Sequence, residues 1–375
     1  MTLGLLLLAL AGPAAAAPYT EKSISIAVAH QARRLVLVPE GKFSAQDGRS
    51  VHALTPHQKY PLDAEGSDLR LGSLRLASET RLIPGDAEAT LMIGSKRYRG
   101  TLLLRANSGE TVTVIAELAM EEYLLGVLPY EMEPQWPLES LKAQAVVART
   151  FAYYNMGKYR RSGFDLTSDT RSQMYGGLGP VYENVRRAVH ETRGEVLGYK
   201  GQLLSVYYHA CCGGRTQDQS AVWPSGAESP RPLKGVKDRY CAASPHFRWN
   251  VFFQDSDILE ALQSRRMIGG GLKWLKAAKR DAAGMIRVFS AKIGSETMSL
   301  RATDLRKQLG NTELRSSRIR QVVRRKRGYE FQGGGNGHGV GLCQWGARLQ
   351  ADKGRRYEQI LSFYFPGAVL SVVDE

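Results

Sequence analysis

Acidic residues are the scarce class in this chain. Thirty-six Asp and Glu stand against 51 Lys and Arg, a formal charge of +15 at pH 7. That excess favours an anionic partner, whether nucleic acid, a membrane surface or an acidic cell-wall polymer. Recognised nucleic-acid signatures are missing, and the basic residues are spread along the chain with only short clusters such as RRKR at 324–327. Nucleic acid is therefore not the expected partner. Internal repeats and low-complexity tracts are also missing. The 43% hydrophobic and 23% charged content is that of an ordinary globular protein. A chain of 375 residues can build one large domain and a smaller one, each with its own core.

Long apolar runs are lacking as well. The stretch LGLLLLALAGPAAAAP at 3–18 is short for a bilayer span and ends in small residues with an A-x-A-like site. It reads as a signal peptide over 1–17. No Lys or Arg precedes it and Pro18 follows directly, so retention as a membrane anchor stays open. The expected location is the periplasm or cell envelope, where cysteines can be oxidised.

Residues 18–110 read as a β-rich N-terminal region. Alternation is strong in ATLMIGSKRYRGTLLLRANSGETVTVIAEL, with Gly and Asn-Ser-Gly punctuation. No titratable cluster marks this region as catalytic. Helical periodicity starts near Met120, and Pro137 suits a first helical turn. Leu138, Leu141, Ala145, Ala148 and Ala152 then form one apolar stripe. Lys142 and Arg149 share the opposite face and stand as candidate substrate contacts. VYENVRRAVHET predicts a helix, and EVLGYKGQLLSVYYHA a hairpin turning at Lys200-Gly201. Residues 250–332 are mixed and basic, with GMIRVFSAKI a strand. A Gly-rich tail, GGGNGHGVGLCQWGARLQADKG, leads into a helix that stops at Gly354. The expected fold class is α+β, with packed helices and antiparallel strands over 111–375 after the small β-rich region.

Four constellations carry chemistry. Glu131 sits among Tyr130, Met132, Trp136 and YLLGVL. It is either a core-edge residue or an acid kept protonated by apolar neighbours, as glycosidic cleavage requires of its general acid. His209-x-x-Cys212 and Cys241-x-x-x-x-His246 have spacings that suit a tetrahedral zinc site. A Cys212–Cys241 disulfide fits the same spacing, Cys211 is a spare for either bond, and Cys343 is remote and expected to be an unpaired thiol. In GNGHGVGLCQWGA, His338 and Gln344 supply polar groups and Trp345 a flat face for a sugar ring; a plain tight turn is the competing reading. The loop with Asp169, Arg171, Gln173 and Tyr175 would line the same cleft.

The blocks EEYLLGVLPYEMEPQWPLESLKAQAVVARTFA, SDTRSQMYGG, YHACCGGRT and GHGVGLCQWGARLQADKGRRYEQILSFYFPG, in that order, resemble the SpoIID/LytB family. LRKQLGNTELRSSRI between the last two resembles the family's LR…LG…LRS segment. The likeness runs from about residue 110 to the C-terminus. It implies a lytic transglycosylase acting on peptidoglycan glycan strands, preferably those stripped of stem peptides, alongside wall-remodelling partners. The family's P-x-E-M glutamate falls on Glu131. The sugar's own C6 hydroxyl attacks the anomeric carbon and leaves a 1,6-anhydro end, so no second carboxylate is needed. Some members carry zinc, a role that His209, Cys212, Cys241 and His246 fit as a closed structural site. Cys343 stands where the family has Ser in S-Q-W-G-A. A non-catalytic wall-binding or autolysin-modifying protein, and a zinc amidase, are the other classes to separate.

Overall fold

Strand alternation fills the N-terminal third as expected. The computed structural model describes residues 22–373 apart from 181, 225–226, 264–268 and 282–284, so the expected signal peptide lies outside the described residues. Twelve strands between Ser23 and Ala119 form two sheets. One takes six of them, with Ser23–Ala32 beside Thr111–Ala119, and gains Leu166–Thr167 as a seventh strand at its edge. The other has six, centred on Leu35–Glu40. Leu37, Leu62 and Leu91 of the second sheet share one core with Ala45, Leu82, Leu104 and Val114 of the first. The sheet runs past 110 because Thr111–Ala119 pairs along the whole of the first strand.

The chain is α+β throughout. Helices α1 (Met120–Glu131), α2 (Leu138–Asn155) and α3 (Glu183–Glu191) follow the sandwich. Leu124, Val127, Leu128, Leu141, Ala145 and Ala148 continue the same core. Helix α2 is buried on both sides: Ala143, Val146 and Val147 enter a second core with Leu342, Ala347, Ile360 and Phe365. Its alanines permit this close approach, and α4 (Gln219–Val222) borders that unit.

The predicted hairpin is present between Glu195–Tyr199 and Gln202–Leu203. Lys200 and Gly201 both take positive φ, at 52° and 76°, which is the two-residue turn whose twist matches paired strands.

Residues 249–333 carry a third core of their own. Strands Trp249–Gln254, Ile319–Arg325 and Gly328–Gly333 form one small sheet, and Leu272–Arg280, Ile286–Ile293 and Glu296–Arg301 another. Helices α5 (Asp255–Gln263) and α6 (Ala302–Leu309) pack with Phe289, Ile293, Leu305 and Phe331. The chain then returns through the glycine-rich tail to α7 (Gln344–Ala351) and α8 (Tyr357–Tyr364) in the second core. Among the described residues, no helix is long and apolar enough to cross a membrane.

Candidate active site

Glu131 is the last residue of α1. Its carboxyl is largely shielded from water, and burial raises its pKa above the ordinary glutamate value. Two hydrogen bonds to the ionised form pull the other way. The Met174 N–H donates to Oε1 at 3.2 Å, and the Tyr208 hydroxyl also bonds the carboxyl. A helix C-terminus carries partial negative charge, which by itself disfavours a carboxylate there.

Beneath the acid runs a buried chain of polar groups. Gln173 Nε2 donates to the Tyr208 hydroxyl at 3.2 Å, and the Tyr123 hydroxyl donates to Gln173 Oε1 at 3.2 Å. Gln173 is therefore a support for the acid rather than a substrate contact. Tyr208 reaches this place because Tyr208–His209 pairs in parallel with Leu342–Cys343. The glycines of the tail make that pairing fit. Gly341 has φ +74°, and a Cβ there would meet the Tyr207 carbonyl at 2.1 Å. At Gly335, Gly337 and Gly341 the bulky object admitted is the chain's own Tyr207–Cys212 segment.

Glu131 opens into a cavity of about 200 Å³ lined also by Phe151, Thr170, Ser172, Met174, Tyr207, Tyr208 and His338. Five of these residues also line a larger cleft of about 830 Å³. Arg171, Lys158, Tyr154 and Tyr199 add to its walls, and the Tyr207 and Trp223 rings stack with centroids 4.7 Å apart and 27° between planes. His338 lies 5.0 Å from Trp223 and 5.6 Å from His209, ring to ring. Its Nδ1 accepts from the Val340 N–H at 3.1 Å, which leaves Nε2 to carry the proton of a neutral ring. Burial lowers His338 to about 3 and His209 to about 4. Both rings are neutral at physiological pH. Among the described residues lining the two cavities, the only other carboxylate is Glu228, which is exposed and paired with Lys234.

Of the residues expected to bind substrate, the structure brings His338 to Glu131. Six others lie elsewhere. Arg149 is fully buried, donating to Glu121 at 2.9 and 2.5 Å and to the Val189 and Glu195 carbonyls. Lys142 is held between Glu139 at 2.9 Å and Glu191 at 2.6 Å. Tyr175 is a core ring against Tyr98 and Tyr123. Gln344 is buried opposite Gln144, at 3.5 Å. Trp345 packs edge-on to Trp136, with the Arg348 guanidinium 4.7 Å above it. Asp169 lines neither cavity. It orders the loop by pairing with Arg171, which holds its carboxyl down at about 2. The cleft residues that sequence reading passed over are Tyr207, Tyr208 and Trp223. Their signal was faint: two aromatics ahead of His209 and one in AVWPS.

The expected metal ligands are corrected in part. The atoms that converge, within 4.8 Å of one another and all buried, belong to Cys212, Asp238, Cys241 and Cys343. Cys211 also contacts Cys241 and Cys343. His209 and His246 are not in this group. His209 Nδ1 bonds the Val340 carbonyl at 3.1 Å, and the His246 ring packs against Trp345. Strand pairing delivers Cys343, far away in sequence, in their place. All four cysteines are free, with Cys212 and Cys241 sulfurs 3.3 Å apart. The N–H groups of Cys212 and Gly346 donate to the Cys343 sulfur at 3.2 and 3.4 Å. Three buried sulfurs with a carboxylate make a closed donor set that fits zinc.

A family model described as stage II sporulation protein, SpoIID, matches residues 108–199, and a domain of unknown function, DUF8618, matches 232–341. An uncharacterised protein of Brachyspira hyodysenteriae is 32% identical over 74% of this chain and 72% of its own length. The stage II sporulation protein D of Bacillus subtilis is 27% identical over 69% of this chain and 76% of its own. The amidase enhancer of Bacillus subtilis is 28% identical over 66% of this chain but only 40% of its own length.

Proposed function

Because the chain belongs to the stage II sporulation protein D family, we propose that it acts in the cell envelope as a lytic transglycosylase on peptidoglycan glycan strands. The observation that carries this reading is the shielded Glu131 carboxyl in a cavity that shares five lining residues with a cleft of about 830 Å³. A raised pKa keeps the proton available near neutrality.

The reaction needs one acid that becomes one base. Glu131 donates its proton to the bridging oxygen, and the leaving sugar departs with it. The carboxylate then accepts the proton of the muramoyl C6 hydroxyl as that oxygen bonds to C1, closing a 1,6-anhydro ring. No water is consumed, and Glu131 ends protonated as it began. Met174 and Tyr208 orient the carboxyl through both states. The Tyr207–Trp223 stack offers faces on which sugar rings can lie, and Arg171 and Lys158 offer charge to the carboxylates of muramoyl units.

For the metal, Cys212, Asp238, Cys241 and Cys343 would hold a zinc ion that ties the tail to the Tyr208 segment. Bound there it would supply folding stability.

Glu131→Gln tests the assignment. The variant should fold normally and lose essentially all strand cleavage. Retention of more than a few per cent of the wild-type rate would place the acid elsewhere. A binder that modifies another autolysin, the role suggested by the relative's name amidase enhancer, would instead be untouched by this change.

A further inference from the structure

The positive charge of this protein is concentrated away from the cleft. Residues 249–333 hold 18 of the 51 Lys and Arg but only 8 of the 36 Asp and Glu, a net +10 out of +15. The same span has its own hydrophobic core, so its surface charge is not needed to complete either of the other two.

The charge has a geometry. In the sheet Leu272–Arg280, Ile286–Ile293 and Glu296–Arg301, the register sets Trp274 opposite Lys292 and Lys276 opposite Ser290. It sets Lys292 opposite Thr297 and Ser290 opposite Ser299. Alternation turns Leu275, Phe289, Ala291, Ile293 and Leu300 into the core, leaving those partners on the outer face. Lys279 joins them opposite Val288, past a bulge. Lys276 Nζ sits 5.1 Å over the Trp274 ring. The nearby acids are engaged, Asp281 with Arg287 and Asp304 with Arg301. Among the described residues, Lys276, Lys279 and Lys292 have no ion-pair partner.

We infer that this outer sheet face is a binding surface for a soluble linear polyanion of phosphodiester-linked polyol or sugar units. Lysines spaced along and across strands match a charge that repeats along a chain. Trp274 gives a polyol or sugar a face to lie on, and Ser290, Thr297 and Ser299 give its hydroxyls partners. A bilayer fits less well, because no large apolar side chain is exposed on this sheet. Single-stranded nucleic acid fits less well too, because it binds on successive aromatic platforms and this face has a single ring, Trp274. The role this gives the module is retention: it would hold the enzyme on an anionic polymer while the cleft works on the glycan.

The test uses the full chain and purified poly(glycerol phosphate). Wild type should bind, with affinity falling as salt is raised. Lys276→Ser, Lys279→Ser and Lys292→Ser combined should weaken binding by about tenfold or more and lower the log–log salt slope by about 2. A control with the same net charge, combining Arg33→Ser, Arg34→Ser and Lys59→Ser on the exposed N-terminal region, should bind within about twofold of wild type. Cleavage of short purified glycan strands by the lysine variant should be unchanged, and Glu131→Gln should bind the polymer normally, so this surface and the lytic reading fail separately. Equal weakening in the control, no binding by wild type, or tighter binding to anionic vesicles or single-stranded DNA than to poly(glycerol phosphate) would each overturn the proposal.

Discussion

Gln173 Nε2 donates to the Tyr208 hydroxyl at 3.2 Å, and that hydroxyl in turn bonds the Glu131 carboxyl. The tyrosine hydrogen bond lowers the acid's pKa against the raising effect of burial. General-acid cleavage requires the protonated form, so kcat/KM should fall as pH rises through the Glu131 pKa. Tyr208→Phe removes a donor to the carboxylate, so it should shift this limb to higher pH while lowering the plateau rate. A profile whose limb stays in place would detach Tyr208 from the acid.

Burial of Glu131 also has a stability consequence. A carboxyl whose folded pKa is raised above its unfolded value binds more protons when folded. The wild-type fold should therefore lose stability as pH rises from the ordinary glutamate range through the raised value. Glu131→Gln removes that loss. The variant should melt at or above the wild-type temperature at neutral pH, and the difference should vanish in mild acid. Melting curves across pH read this directly, and a variant that melts lower at neutrality would contradict it.

Arg149 and Glu121 form a buried ion pair closed at 2.5 Å. Removing one partner strands a buried charge, so Arg149→Leu should cost about 3–5 kcal/mol. Urea denaturation is the measurement, and a loss below 1 kcal/mol would mean that Glu121 finds water or another partner.

Trp223 is 42% exposed and stacks on Tyr207, which suits a sugar platform more than a core contact. Trp223→Ala should raise KM for glycan strands by about tenfold, in line with the loss of an aromatic contact, with kcat close to wild type. A change confined to kcat would remove Trp223 from substrate binding.

Metal analysis should find about one zinc per chain in a closed four-ligand site. Cys241→Ser and Cys343→Ser should lose it and melt at lower temperature. His209→Ala and His246→Ala should keep it. Zinc loss from either histidine variant would restore the ligand set that the Cys/His spacing suggested.

How far these features could be read in the sequence depended on their range. The Lys200-Gly201 turn and the helix from Met120 were legible because their signals are local. Glu131 stood out by its apolar chain neighbours, but the groups around its carboxyl, Phe151, Met174, Tyr207 and Tyr208, come from elsewhere in the chain. Arg149 was misread because heptad spacing puts it on a polar face, while the carboxylate that draws it inside, Glu121, belongs to another helix. Cys343 is a free thiol, as expected, but its place beside Cys212 and Cys241 was hidden because the parallel pairing of Leu342–Cys343 with Tyr208–His209 has no local signature. The same pairing hid Tyr208, whose role exists only once α1 and the tail meet. The cationic sheet face was obscured because its lysines are sequence neighbours of core residues, and only the strand register separates the two faces.

The most direct test of the account is the chemistry of the cut ends. Purified glycan strands lacking stem peptides, digested with wild-type protein and analysed by mass spectrometry, should yield fragments ending in 1,6-anhydro sugars. Fragments with free reducing ends would mean that water attacks and that Glu131 does not work alone; intact strands would mean that this protein binds the wall without cutting it.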